Sequence, residues 1–289
     1  MNRNPNVVAP RFGSCFEERE LLSHEAASYE FAPHAFFPES IFRMITNVRV
    51  SDPSVIEKSA QRRNRRERLT EDGRLTILAC DHPARRVTKS GNDPVRMGNR
   101  HEFLGRILRL VTNPEFDGVM GTTDIIDDLL IVDQLFVESG GRSFFDKKVL
   151  LGCMNRGGLS GCSFEMDDRF TSFTVESIRK LRLDGAKMMF RLDPTESRSL
   201  DTIEACARTI TELNKYSLPI FLEAFSVERT ETGYSSLKTA EELIKTVSVA
   251  TALGDSSKRI WLKIPFCDDF DRVAKATSCP ILMLGRNMI

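Results

Sequence analysis

The sequence predicts an α/β protein of the (β/α)8 barrel class, and three observations point there. From about Leu75 onward, seven short and nearly unbroken apolar runs follow one another along the 289-residue chain. Their starts recur at the spacing of a βαβ unit, roughly every 30 to 40 residues, with amphipathic stretches between them. No Gly-x-Gly-x-x-Gly follows any of these runs, which weakens the open dinucleotide-binding sheet as an alternative.

The elements fall in order. The first run is Leu75-Thr76-Ile77-Leu78-Ala79-Cys80, ending at Asp81, and the second is Gly118-Val119-Met120-Gly121. Val149-Leu150-Leu151-Gly152-Cys153-Met154 is the third. The fourth, Gly185-Ala186-Lys187-Met188-Met189-Phe190, and the fifth, Pro219-Ile220-Phe221-Leu222-Glu223, each carry an ionisable residue. So does the sixth, Arg259-Ile260-Trp261-Leu262-Lys263-Ile264-Pro265, and Pro280-Ile281-Leu282-Met283-Leu284-Gly285 is the last. Strands this apolar suit a parallel sheet covered on both faces. Between them, Asp124 opens a helix with acidic residues in its first turn, Asp193-Pro194-Thr195-Glu196 starts another, and Lys238 to Ala252 reads as a third.

Only Arg286-Asn287-Met288-Ile289 follows the seventh run, so no eighth strand fits. The simplest reading is a barrel over residues 71–289, truncated at its C-terminus. Alternatives are an element before the first strand that plugs the gap, or a strand lent by another subunit. Residues 1–70 read as an N-terminal extension with a helical segment. Ala32-Pro33-His34-Ala35-Phe36-Phe37-Pro38 reads as a loop with exposed aromatics, and Asp52-Pro53 begins a helix running to Arg68. The basic run Arg62-Arg63-Asn64-Arg65-Arg66-Glu67-Arg68 reads as a solvated helix face, with a phosphate or nucleic-acid contact as the sharper alternative.

Composition narrows the class. The chain is 41% hydrophobic and 28% charged with a formal net charge of zero, which gives no general reason to expect nucleic-acid or anionic-membrane partners. No apolar run approaches the roughly 20 residues of a membrane span, and Met1-Asn2-Arg3-Asn4-Pro5 starts no secretory signal. The seven cysteines form no Cys-x-x-Cys pair and read as reduced thiols of a cytoplasmic protein. His24, His34, His82 and His101 lack zinc-ligand spacing, so neither a structural metal nor a cofactor is expected. The expected partners are a small-molecule substrate and further copies of the chain.

Candidate chemistry sits at the strand ends. Barrel active sites lie at the C-terminal ends of the strands, and side chains alternate in direction along each strand. One parity choice per strand puts Lys263 with Trp261 and Pro265, Lys187 with Met189 and Arg191, Glu223 with Phe221 and Phe225, and Asp81 with Ala79 and Ile77. That choice gathers Asp81, Lys187, Glu223 and Lys263 in one mouth. An amine freed of its proton there, against a reference pKa of roughly 10.4, attacks a carbonyl to form an imine. Burial and a second ammonium both favour loss of that proton, and Lys187 is placed to supply the ammonium.

Each residue also has a plainer reading. Lys263 could snorkel out and pair with Asp268 or Asp269, Lys187 and Glu223 could form an ion pair between neighbouring strands, and Asp81 could cap its loop. Four polar groups at equivalent positions of four strands are harder to explain as structure, because buried charge is rarely kept for stability. Asn155-Arg156 and Gly157-Gly158 read as an anion-binding turn or as a plain loop. Cys153 and Cys162 have no partnered histidine to make a thiol nucleophile.

These motifs resemble a known family. Ala79-Cys80-Asp81-His82 is similar to the first-strand Asp motif of the class I fructose-bisphosphate and deoxyribose-phosphate aldolase superfamily. Asp184-Gly185-Ala186-Lys187 with Arg191-Leu192-Asp193-Pro194, the Glu223 run, and Trp261-Leu262-Lys263-Ile264-Pro265 resemble the fourth-, fifth- and sixth-strand motifs of its tagatose-bisphosphate aldolase branch. The chain is also similar to an uncharacterised (β/α)8 family associated with inositol catabolism in actinobacteria. The resemblance spans roughly residues 71 to 285. It implies a class I aldolase-like lyase with Lys263 as the imine-forming lysine, Lys187 and Glu223 as its polar partners, and Asp81 as a substrate- or proton-handling carboxylate. Arg191, His82, Arg286 and Gly285 are the substrate-binding candidates. The family's phosphate site uses glycine-rich loops after strands seven and eight, whereas here Gly285-Arg286-Asn287 stands for the first and nothing for the second. A transaldolase-like enzyme using the same imine and a non-catalytic sugar- or partner-binding barrel are the alternatives.

Overall fold

The structure is a computed structural model that describes residues 31–156 and 158–285. Seven parallel strands form one curled sheet: β1 (Ile77–Ala79), β2 (Gly118–Gly121), β3 (Val149–Cys153), β4 (Gly185–Leu192), β5 (Ile220–Thr230), β7 (Ile260–Pro265) and β8 (Ile281–Leu284). They pair in the order β1-β2-β3-β4-β5-β7-β8, and among the described residues the curl stays open between β1 and β8. This is the (β/α)8 architecture with seven barrel strands. An eighth strand, β6 (Gly233–Leu237), pairs antiparallel with the far half of β5 and forms a hairpin beyond the barrel. The sequence offered no sign of it, because Gly-Tyr-Ser-Ser-Leu carries no apolar alternation.

Helices connect the strands: α4 (Arg100–Val111), α5 (Thr123–Glu138), α6 (Val175–Lys180), α7 (Ser199–Lys215), α8 (Ala240–Thr251) and α9 (Phe270–Ala274). Local sequence starts several of them. Asn99 caps α4 by accepting from Glu102 N, Thr239 does the same for α8 from Glu242 N, and Thr174 with Ser177 forms a reciprocal cap on α6. The helix expected at Asp193 begins later, at Ser199. Asp193 instead holds a turn, its carboxylate accepting from Thr195 N and Oγ1. None of the described helices is long and apolar enough to cross a membrane.

Register places two apolar layers. Met120, Val149, Leu151 and Phe221 are buried inside the curl, with Ile77, Ala79, Trp261 and Leu282 packed on them. The opposite face carries the larger cluster between sheet and helices, including Val119, Leu150, Met188 and Leu222. β2 and β3 approach closely at Gly118, where a Cβ would lie 1.9 Å from Val149 O, so only glycine fits.

The N-terminal region departs from expectation. The aromatic segment forms a short helix, α1 (Pro33–Phe36), and Phe37 is buried beside His101 of α4 rather than exposed. Two helices follow, α2 (Glu39–Ser51) and α3 (Val55–Arg62), so the helix expected to reach Arg68 stops six residues short. The basic run beyond it is not a solvated face. Arg63 is 2% exposed and donates to Asp184 Oδ2 (2.7 Å), Lys148 O (2.8 Å) and Arg182 O (2.5 Å). Arg65 bonds the other Asp184 oxygen at 2.7 Å, and Arg66 bonds Asp117 at 2.7 Å. These partners precede β2, β3 and β4, so the run clamps the N-terminal end of the sheet. Leaving the helix lets successive arginines reach different strands, and such bonds outweigh continuing a solvated turn.

Candidate functional site

The strand register brings the four polar strand residues together. Lys187 pairs in register with Phe221, and Phe221 with Trp261; one layer higher, Met189, Glu223, Lys263 and Leu282 form a row. All of these face the interior, with the parity expected from the sequence. Beneath them Phe221 and Trp261 stack at 5.5 Å and close the floor.

The charges alternate across the mouth. Lys187 Nζ lies 2.6 Å from Asp81 Oδ2 and 2.6 Å from Glu223 Oε2, and Lys263 Nζ lies 2.9 Å from Glu223 Oε1. All four residues are 5% exposed or less. Lys263 therefore neither snorkels nor pairs with Asp268 or Asp269, and Asp81 spends its charge on Lys187 rather than on a cap. The Lys187–Glu223 ion pair between neighbouring strands does form, as the centre of a longer chain. Lys187 directs its hydrogen bond to Asp81, which leaves Glu223 Oε2 in ion-pair contact without a well-directed donor.

Electrostatics follow from that arrangement. Burial by itself favours the neutral form of every member. For Lys187 the carboxylates of Asp81 and Glu223 outweigh burial and hold the ammonium charged well above the ordinary lysine range. Burial would raise Asp81, but Lys187, with Arg85 and Lys263 behind it, keeps its carboxyl far below the usual range. The same contest, won by Lys187 and Lys263, holds Glu223 at about 2. Burial lowers His82, whose Nδ1 stands 4.0 Å from Asp81 Oδ1 at the rim. Burial pushes the Cys153 thiol far up, so no thiolate is offered there.

The remaining candidates are more scattered. Arg191 follows Met189 on β4 and is 8% exposed, its guanidinium held by the Glu165 carboxylate at 2.8 Å and by the Glu165 carbonyl. Gly285 lies exposed just past β8, and Arg286 and Gly157 lie outside the described residues. Asn155 is fully buried and exchanges 2.7 Å bonds with Met189 N and O, continuing the β3–β4 pairing past Cys153, and the rest of the expected turn runs through Gly157, outside the described residues.

Three residues of the rim escaped the sequence reading: Arg85, Glu165 and Asp168. Arg85 ends a 3-10 turn, Pro83–Arg85, whose proline was a usable signal of a chain folding back over its strand. Glu165 and Asp168 lie on the loop after β3, where no periodicity marks them. Asp168 is 5% exposed with the Gly158 backbone N–H beside it, and burial lifts it to about 6 against the pull of Arg191.

Comparison with known proteins places the fold. The Cgl0159-like family model matches residues 73–288. The crystal structure of Cgl0159 from Corynebacterium glutamicum (Brevibacterium flavum) superposes with a TM-score of 0.79 at 36% identity, over 86% of this chain and 81% of that one. A Schiff base-forming fructose-1,6-bisphosphate aldolase gives 0.50 at 20% identity over 79% of each chain. The fructose-bisphosphate aldolase from Slackia heliotrinireducens DSM 20476 gives 0.52 at 12% identity, over 83% of this chain and 73% of that one. At such identities the two aldolases share the fold. Among curated proteins none matches the chain.

Proposed function

The chain belongs to the Cgl0159-like family, and from that premise and the geometry of its four buried charges we propose a class I aldolase-like carbon–carbon lyase. Its substrate is a small hydroxylated carbonyl compound of carbohydrate or inositol catabolism. The observation that carries the reading is the buried Lys263 amine, 2.9 Å from a carboxylate that a second lysine, its ammonium favoured by two carboxylates, also touches.

Each step uses a group in place. Lys263 sheds a proton through Glu223, whose low value owes part to that same ammonium charge and rises as the charge leaves, and its lone pair attacks the substrate carbonyl carbon. The carbonyl π pair moves to oxygen, which takes that proton back from Glu223; the nitrogen then gives Glu223 a second proton, which is relayed to the hydroxyl, and water leaves to give the iminium. The Lys187 ammonium steadies the oxygen while it carries charge. A carboxylate, Asp81 or Glu223, removes the proton of the hydroxyl on the β-carbon. The C–C pair then flows into the iminium, an aldehyde departs and an enamine remains. Protonation of the enamine carbon and addition of water release the second product and restore the amine.

Borohydride reduction in the presence of dihydroxyacetone phosphate or a panel of aldehydes and ketones tests the reading. The expected result is a covalent adduct that peptide mass spectrometry places on Lys263 and that Lys263→Ala abolishes. A wide panel that never labels this lysine in folded protein rules the imine out.

A further inference from the structure

Arg85 is a cation of the mouth without an ion-paired carboxylate among the described residues. The core chain balances two carboxylates against two ammonium groups, and Arg191 is neutralised by Glu165. Arg85 meets no carboxylate at ion-pair distance among the described residues. Its side-chain hydrogen bond goes to Met189 Sδ at 3.3 Å, a weak acceptor that leaves the fork of N–H donors largely uncommitted. Met189 stands in register with Glu223 and Lys263, so Arg85 reaches from the end of β1 across to β4 at the height of the proposed imine. Its charge is felt by Asp81, Glu223, Lys187, His82 and the rim carboxyl of Asp168 together.

The backbone explains why it is held there. The 3-10 turn closes with Arg85 N on His82 O at 3.0 Å, and Arg85 O accepts from Ser160 N of the β3 loop at 3.0 Å. That main-chain bond and the side chain of Arg86, which donates to Ser160 O at 3.4 Å and Cys162 Sγ at 3.0 Å, tie these two loops, so the Arg85 side chain is not needed as a strut. A half-buried, pre-positioned guanidinium with a free planar fork suits one ligand chemistry, an oxyanion gripped through two N–H groups.

We propose that Arg85 binds an anionic oxygen group of the substrate, phosphate or carboxylate, and selects charged carbonyl compounds over neutral ones. This rests on the imine reading for its role in catalysis but not for anion binding itself.

Borohydride labelling of Lys263 is therefore compared with dihydroxyacetone phosphate, pyruvate and neutral dihydroxyacetone. One anionic probe should label wild-type protein best, and which one does identifies the anion. Arg85→Gln should cut that labelling about tenfold or more while leaving dihydroxyacetone unchanged, with Arg85→Lys intermediate. Equal loss for all three probes, or an anion preference that survives Arg85→Gln, overturns the proposal. A second arm needs no imine. Calorimetric titration with inorganic phosphate and with acetate should show binding to wild-type protein that Arg85→Gln weakens about tenfold. Binding there without labelling of Lys263 by any carbonyl would defeat the imine and keep the anion site; binding of neither anion defeats the anion site.

Discussion

Replacing Lys187 by methionine keeps side-chain volume and removes the one ammonium shared by Asp81 and Glu223. Glu223 keeps Lys263 at 2.9 Å, but Asp81 is left with His82 at 4.0 Å as its nearest cation candidate, and burial lowers that ring's proton affinity. A buried carboxylate without a close cation takes a proton instead of staying charged. Starting from its ordinary value of 3.8, holding that proton at pH 7 costs about 4 kcal/mol, at about 1.4 kcal/mol per pH unit. That lies within the roughly 3 to 5 kcal/mol expected when one partner of a buried ion pair is removed. The sign follows from linkage. Wild-type Asp81 and Glu223 have depressed values, so their contribution is present above about pH 4 and is lost only as acid protonates them in the folded state. In the variant the folded protein binds the extra proton, so the stability gap narrows by about 1.4 kcal/mol per unit from pH 7 down to pH 4. Urea unfolding followed by the fluorescence of Trp261, the single tryptophan and the floor of the site, measures the gap at each pH. A gap that stays constant between pH 7 and pH 5 refutes the reasoning, because Asp81 would then remain ionised on the charge of Arg85 or His82.

Two further outcomes test the frame around the site. Asp168 is raised to about 6 from 3.8, so ionising it opposes folding fully above about pH 6 and not at all below about pH 4. Asp168→Asn should therefore stabilise the protein by up to about 3 kcal/mol at pH 8, raise Tm accordingly, and gain nothing at pH 4; a gain independent of pH contradicts this origin. At the other end of the sheet, Arg63→Met strands two carbonyls and leaves Asp184 Oδ2 with the Leu150 N–H alone, while Arg65 still holds the other oxygen. It should cost about 3 kcal/mol in urea unfolding and leave Lys263 labelling at 25 °C intact, since the clamp lies at the end of the strands away from the mouth.

What was legible in the sequence, and what was not, follows from where contrast exists. Lys187, Glu223 and Lys263 interrupt runs that are otherwise apolar, and the two-residue period of a strand then fixes which neighbours share their face, so the row of interior residues could be written down before any contact was seen. The arginines of residues 62–68 had no such contrast. A basic run looks the same whether it is solvated or threaded between strand ends, and the difference lies in Asp117, Asp184 and the carbonyls of Lys148 and Arg182, all distant in sequence. Arg85 and Asp168 belong to loops, where position comes from tertiary bonds such as Ser160 N to Arg85 O and carries no period to read. The same division bears on function. The strand charges cancel one another, and the proposed imine reaction is one that many carbonyl compounds could enter. On that proposal, selection among those compounds comes from groups left unpaired at the rim, and the Arg85 guanidinium, without an ion-paired carboxylate among the described residues, is the proposed one. Chemistry written on strands and selectivity written on loops is the separation that lets one barrel serve different substrates.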